Sequence, residues 1–139
     1  MKLVLILLSV AALLNGCSSI HTDRDPRTDL NGFKRYFVLH RLTDDHHIDE
    51  MIVAQLNSFG FEASSGPMTM MPQSADALVI YTDEWAWDFK SYLIRLDVEI
   101  HRSHNNQRVA RGTYEQPSMF TKSPEKVIEK ILTPLFHPR

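Results

Sequence analysis

The sequence has little cysteine, little glycine and little net charge, and each shortage excludes a class of protein. Cys17 is the only cysteine among 139 residues, so the chain can form neither an internal disulfide nor a zinc site with several cysteine ligands. The five glycines do not cluster into a loop of the kind that cradles phosphates. With 15 basic and 17 acidic residues, the net charge is −2, which does not favour a nucleic-acid partner.

Common catalytic and metal-binding motifs are also missing. The sequence contains neither a Gly-x-Ser-x-Gly nucleophile elbow nor a His-Glu-x-x-His pair. His46 and His47 are adjacent and diverge on a helix. Met68, Met70 and Met71 offer soft ligands for Cu(I), but no second methionine cluster supports them. We therefore expect a protein that is not an enzyme and uses no cofactor or metal, with a metal-handling role as an alternative.

The longest apolar run lies near the N-terminus and is too short to span a bilayer. It covers residues 3–14 with one interruption at Ser9, whereas a transmembrane helix needs about 20 residues. Lys2 precedes the run and Gly16 follows it, which completes the pattern of a signal peptide. We expect this signal peptide to cover residues 1–16.

Residues 14–17, Leu-Asn-Gly-Cys, resemble the lipobox of bacterial lipoproteins. The resemblance implies that the chain is cleaved before Cys17 and that this cysteine is acylated. Two or more acyl chains also meet the physical need, because a single chain gives only marginal attachment. Ser18 in place of an aspartate implies the outer membrane in a Gram-negative host, with the rest of the protein facing the periplasm.

The chain after the cysteine divides into a polar stretch and a folded unit. Residues 18–32 carry many charged and few apolar side chains, so residues 17–32 are predicted to be the lipidated N-terminus and a flexible tether. Residues 33–139 carry regular hydrophobic periodicity, which predicts a single domain.

Within this domain the periodicity predicts five strands and two helices in the order β-α-β-β-β-β-α. The apolar run at residues 77–82 indicates a buried strand, and the alternation over residues 92–102 indicates a strand with one wet face. Capping residues at 43–45 and at Ser123 mark the two helix starts. We expect an α+β fold with a mainly antiparallel sheet of four to five strands and both helices on one face.

Residues 83–89, with the sequence DEWAWDF, form the most unusual segment and contain both tryptophans of the chain. In an extended strand Trp85 and Trp87 lie on one face. They can serve as a stacking platform for sugar rings or as an anchor for a protein partner. Alternatively, they cap the end of the core while the acidic residues are solvated. We take Trp85, Trp87 and Asp88 as the candidate contact residues.

Five segments resemble a family of small, functionally uncharacterised bacterial lipoproteins: residues 75–81, 85–89, 92–93, 110–112 and 123–125. The implied architecture is similar to that of several envelope lipoproteins, including the family called domain of unknown function 4136. The resemblance implies a fold and a location, and it assigns no activity. We therefore expect a membrane-anchored binding or structural component of the cell envelope. Its expected partner is an envelope protein, or alternatively a glycan or lipopolysaccharide.

Overall fold

The computed structural model describes residues 18–116 and 122–138. Within these ranges a six-stranded sheet combines with two α-helices, which supports the predicted α+β class. The predicted signal peptide (residues 1–16) and Cys17 lie outside the described residues. The elements are β1 (Ser19–Arg24), β2 (Arg35–Leu39), α1 (Ile48–Ser58), β3 (Glu62–Gly66), β4 (Ala77–Asp88), β5 (Lys90–Arg102), β6 (Arg108–Glu115) and α2 (Pro124–Phe136).

The strands lie in the order β1-β6-β5-β4-β2-β3. The pairs β1–β6, β6–β5 and β5–β4 are antiparallel, whereas β2 runs parallel to both β4 and β3. The prediction of a mainly antiparallel sheet of four to five strands is therefore wrong, since the sheet is mixed and has six strands. Helix α1 is the crossover of a β-α-β unit, and such a crossover makes its two strands parallel.

A carboxylate clamps the parallel pair β2–β4 at its start. Asp76 accepts hydrogen bonds from the backbone N–H groups of Lys34 (2.8 Å) and Arg35 (2.9 Å), and its own N–H donates to the Arg35 carbonyl. The two bonds from Arg35 and Lys34 lower the pKa of Asp76 below its ordinary value of 3.8. The clamp therefore joins the two strands where both begin.

The polar stretch at residues 17–32, predicted to be a flexible tether, contains the edge strand β1. This strand pairs with β6 along its whole length. Backbone hydrogen bonds hold it, so it does not need the apolar side chains whose shortage motivated the prediction. Arg24 also donates a hydrogen bond to the Leu135 carbonyl at 3.3 Å. The folded unit therefore begins at β1 and not at residue 33.

Both helices pack on one face of the sheet, as the sequence predicts, and their apolar stripes form the main core with that face. An aromatic cluster joins the helices to β2: the Phe136 ring lies 5.7 Å from Tyr36 and 5.1 Å from Phe61, centroid to centroid. None of the helices formed by the described residues has the length and hydropathy needed to cross a membrane.

Strands β4 and β5 form a hairpin that is longer than its neighbours. The pairing of β2 with β4 ends at Val79, and the last pair between β5 and β6 is Arg95 with Glu115. Among the described residues, 85–88 and 90–93 pair only with each other. We call this the hairpin end of the sheet, where β2, β3, β4 and β6 finish and β1 and β5 start.

Gly112 on β6 lies under α2 and leaves no room for a side chain. A Cβ added there would lie 2.4 Å from Cγ2 of Ile131. We expect Gly112→Ala to lower the free energy of unfolding by about 1–3 kcal/mol, because the helix must move.

Urea denaturation measures this change, and Gly66→Ala at the end of β3 is the matched control. A Cβ on Gly66 would meet no atom closer than 3.6 Å, so we expect an effect within about 0.5 kcal/mol. Equal unfolding midpoints for the two variants would contradict the close packing of α2 on β6.

Candidate functional site

The two tryptophans of the predicted site share a strand but have different surroundings. Trp85 pairs with the buried Leu93, is half-buried and packs against the core. Trp87 pairs with Ser91 nearer the tip, and 74% of it is exposed. Each of the two interpretations therefore fits one ring. Trp85 caps the core, whereas Trp87 is free to serve as a contact. Asp88, the third candidate, is also exposed.

A bulge at the base of the exposed part reorients the strand. The register of β4 against β5 shifts between Glu84 and Trp85. As a result Leu93 is buried, whereas the alternation in the sequence predicts Ile94 on the inward face. Bulges bend a strand and increase its twist. The part of the hairpin beyond Trp85 therefore does not simply continue the sheet below it.

Phe89 occupies the turn at the tip and was not predicted as a site residue. It has a φ of 60° and is 95% exposed. This left-handed conformation suits glycine or asparagine, and for a residue such as phenylalanine it costs roughly 1–2 kcal/mol. Neither burial nor backbone preference accounts for the ring, and exposed strain of this kind points to a function. The available signal was a turn without Gly, Asn or Pro between two strand patterns.

The loop between β2 and α1, residues 40–47, lies against β4 at the same end of the sheet. The Asp44 carboxylate holds it there by accepting hydrogen bonds from the Tyr81 hydroxyl (2.6 Å) and the backbone N–H of Ile48 (2.8 Å). Asp44 thus accepts a hydrogen bond from the first residue of α1, as its predicted capping role requires, but the N-cap position itself is His47, which makes no side-chain cap hydrogen bond. Leu42, in the same loop, is 96% exposed.

A second set of contacts fixes Trp85 against this loop. Arg41 pairs with Oδ1 of Asp83 at 2.5 Å, and Nε1 of Trp85 donates to Oδ2 of the same carboxylate at 2.7 Å. The His46 ring stacks on Trp85 with 3.6 Å between centroids and 8° between planes. The base of the hairpin is therefore held on several sides, which leaves Trp87 and Phe89 beyond it.

Asp44, His46 and Asp83 bring three potential metal ligands within 4.8 Å of one another. Sequence reasoning missed this group because two distant segments supply it. Both oxygens of Asp83 already accept hydrogen bonds from Arg41 and Trp85. The guanidinium also supplies positive charge where a cation would sit, so the group acts as a structural network. The expected absence of a bound metal stays a prediction.

The methionine segment divides between burial and exposure. Met71 packs against Phe37 and Leu78 in a small second cluster on the face of the sheet without helices, whereas Met68 and Met70 are exposed. One of the three proposed thioether ligands is thus used in packing. The metal-handling alternative gains no support from this segment.

Charges alternate in sign over β5 and β6 on the same helix-free face. Asp97 accepts hydrogen bonds from Arg95 (2.9 Å), Arg111 (2.8 Å) and Thr113 (2.5 Å). Burial acts to raise the pKa of Asp97, but these bonds outweigh it and lower the pKa below 3.8. Because the arginines are already paired, this face does not form a basic patch for anionic glycans.

Comparisons with known proteins identify the fold. No family model matches the chain, and no curated protein matches it either. The resemblance to the family called domain of unknown function 4136 therefore stays a prediction. Two structures of the PelC dodecamer from Paraburkholderia phytofirmans are similar, with 16% identity and TM-scores of 0.65 and 0.64. They cover 86% and 85% of this chain, and 98% and 97% of their own.

Two further structures show weaker likeness. A PDZ domain protein from Parabacteroides distasonis has 10% identity and a TM-score of 0.52 over 95% of this chain and 39% of its own. A minor lipoprotein from Acinetobacter baumannii has 12% identity over 76% of this chain and 94% of its own. Its TM-score of 0.40 is too low to support an argument. Identities this low show the fold alone.

Replacing the Asp44 carboxylate tests the network that holds the loop. Burial acts to raise its pKa, but hydrogen bonds from Tyr81 and from backbone N–H groups outweigh burial, so the pKa falls below 3.8. The charged form therefore stabilises the fold above about pH 4, and this stability is lost as the pH falls further. We expect Asp44→Asn to cost about 2 kcal/mol at neutral pH and to flatten the acid limb.

Urea unfolding at several pH values measures both effects. Asp45→Asn is the control because Asp45 is the exposed neighbour of Asp44. An acid limb as steep in Asp44→Asn as in the parent protein would contradict the assignment.

Replacing Phe89, unlike replacing Asp44, is not expected to lower the free energy of unfolding. Asparagine tolerates the left-handed backbone better, so we expect Phe89→Asn to leave the free energy of unfolding unchanged or to raise it by about 0.5–1 kcal/mol. Trp85→Ala, which removes a ring packed on the core, should instead lower it. Thermal denaturation compares the two, and a clear loss of stability in Phe89→Asn would show that the ring serves the fold.

Proposed function

We propose that this chain is a lipid-anchored, non-enzymatic component of the bacterial cell envelope that binds another envelope component through the hairpin end of its sheet. The contact residues are Trp87, Asp88 and Phe89. Acylated Cys17 anchors the protein in the outer membrane, and the folded unit faces the periplasm. Trp85, which the sequence also suggested as a contact, supports the site from below.

The exposed pair at the tip carries this proposal. Trp87 and Phe89 are 74% and 95% exposed, and Phe89 also has an unfavourable backbone conformation. Large aromatic side chains contribute most of the binding energy at interfaces. Two of them exposed at one tip are therefore typical of a binding surface. The network of Arg41, Asp83 and His46 around Trp85 holds the base of the tip before any partner arrives.

Lipid anchoring is proposed from the sequence. The lipobox-like residues 14–17 precede the single cysteine of the chain. The PelC structures, which share the fold, are described as dodecamers, so a second copy of this chain is one partner to be tested. A glycan is a second candidate, because an exposed Trp87 ring beside the exposed Asp88 carboxylate resembles a sugar-stacking platform.

Site-specific photo-crosslinking in cells tests the contact. A photoreactive amino acid replaces Trp87 in one variant and Phe89 in another. We expect adducts at both positions, because both side chains are exposed. His104 is the control position, since it is also exposed but lies in the β5–β6 turn at the opposite end of the sheet.

The mass and composition of the adducts separate the candidates. A mass of twice the monomer indicates a second copy, whereas a heterogeneous adduct that contains sugar indicates a glycan. The proposal fails if positions 87 and 89 give no more adduct than position 104. Acylation is checked separately by mass spectrometry of the N-terminal peptide.

A further inference from the structure

The predicted lipid attachment point and the exposed aromatic tip lie at the same end of the sheet. β1 starts at the hairpin end, where Ser19 pairs with Glu115. Glu115 pairs with Arg95, and Arg95 pairs with Glu84. The first residue of β1 is therefore level with the base of the projecting hairpin.

No spacer separates the cysteine from this end. Cys17 is joined directly to Ser18, and two residues of chain reach at most about 7 Å from Ser19. Ser18 is itself held, since Lys122, which precedes α2, donates a hydrogen bond to its hydroxyl at 3.2 Å. With the expected tether replaced by β1, an acylated Cys17 brings the hairpin end against the bilayer.

The projecting part of the hairpin is long enough to reach the bilayer that holds the anchor. Residues 85–88 add roughly 13 Å of strand length beyond the level of Ser19, at about 3.3 Å per residue, along a strand that the bulge at Trp85 bends. This is farther than Cys17 can extend from β1. Three strand spacings, roughly 14 Å, separate β1 from β4, so the anchor and the tip form two separate points of contact.

The most exposed apolar side chains lie at this same end of the sheet. Leu42, Trp87 and Phe89 are the most exposed large hydrophobic residues of the described chain, and all three belong to the hairpin end. Leu42 follows Arg41, whose side chain pairs with Asp83 on the strand that leads to the tip. Tryptophan favours the interface between headgroups and acyl chains, where its ring is apolar and its N–H is solvated.

The hairpin end carries charges of both signs, so it does not favour anionic lipids. Exposed Glu84 and Asp88 offset exposed Lys90 and the half-buried Lys122 beside Ser18, and Arg41 is paired with Asp83. A basic cluster that would select anionic headgroups is therefore not present among these residues. The contact is expected to be apolar and insensitive to salt.

We propose that the hairpin end is a membrane-contact surface: Trp87 and Phe89 insert into the headgroup region of the bilayer that holds the Cys17 lipid. This inference rests on the proposed lipid anchor and names the envelope component that the tip contacts. The sheet then stands with its end toward the membrane, and the opposite end, with the β5–β6 turn, points away from it.

Fluorescence quenching by brominated acyl chains tests the insertion. The mature protein is purified from membranes and reconstituted in phosphatidylcholine vesicles with and without brominated lipid. With Trp85 half-buried and Trp87 at the surface, we expect brominated lipid to remove roughly half of the parent emission. Trp87→Phe should lose this quenchable part and keep the emission of Trp85.

A second variant moves the probe without touching the core. Trp87→Phe combined with Phe89→Trp places the quenchable ring at the tip, and we expect quenching to return. High salt should leave the quenching unchanged. Quenching that requires anionic lipid, or equal quenching in the parent and in Trp87→Phe, would overturn the inference.

The same sample separates this inference from the proposed function. If Cys17 is acylated and Trp87 is not quenched, the anchor stands and membrane contact by the tip is wrong. A protein or glycan adduct at position 87 would then identify the true contact. If mass spectrometry finds Cys17 without acyl chains, the proposed anchor fails and the membrane-contact surface fails with it.

Discussion

The antiparallel pairing of β4 with β5 is the constraint on which the rest of the structure depends. Its register runs from Ala77 opposite Arg102 to Asp88 opposite Lys90. One side of this hairpin receives the parallel strands β2 and β3, and the other side receives β6 and β1. Its inward-facing side chains belong to the core cluster that the helices and the sheet form together. Because the hairpin is longer than either flank, its tip projects beyond the sheet.

The candidate site consists of a hairpin base that is fixed by hydrogen bonds and a tip whose aromatic rings are exposed. Asp44 fixes the β2–α1 loop through Tyr81, and Asp83 binds both Arg41 and Trp85. These contacts hold the base of the hairpin, where the bulge has already changed the strand's course. Trp87 and Phe89 remain exposed on a preorganised support, and in the proposed contact such a support lowers the entropic cost of binding.

Sequence periodicity predicted most elements but not how they are arranged. The helical stripes around Ile52 and Ile131 and the run at residues 77–82 depend on local spacing, so they could be found. β1 was missed because an edge strand depends on backbone hydrogen bonds, which a polar sequence does not reveal. The parallel pairing of β2 with β4 depends on the path of residues 67–76 and on the Asp76 clamp, neither of which has a periodic signature.

The candidate site shows the same division. The density of aromatic residues at 83–89 indicated the segment, but local pattern cannot distinguish a packed ring from a free one. Trp85 and Trp87 are two residues apart and share one face of the strand. Only the tertiary structure shows that Trp85 packs against the core and stacks on His46. Phe89 was overlooked because its strained conformation becomes visible only in the turn.

By itself the sequence determined the class of fold and the presence of both helices, because these depend on composition and local spacing. Tertiary structure alone decided that the chain from Ser19 joins the sheet and that β1 starts beside the projecting hairpin. Strand order brings residues from distant segments to one end, and no local pattern encodes that order. The position of the start of β1 relative to the aromatic tip is therefore a property of the topology.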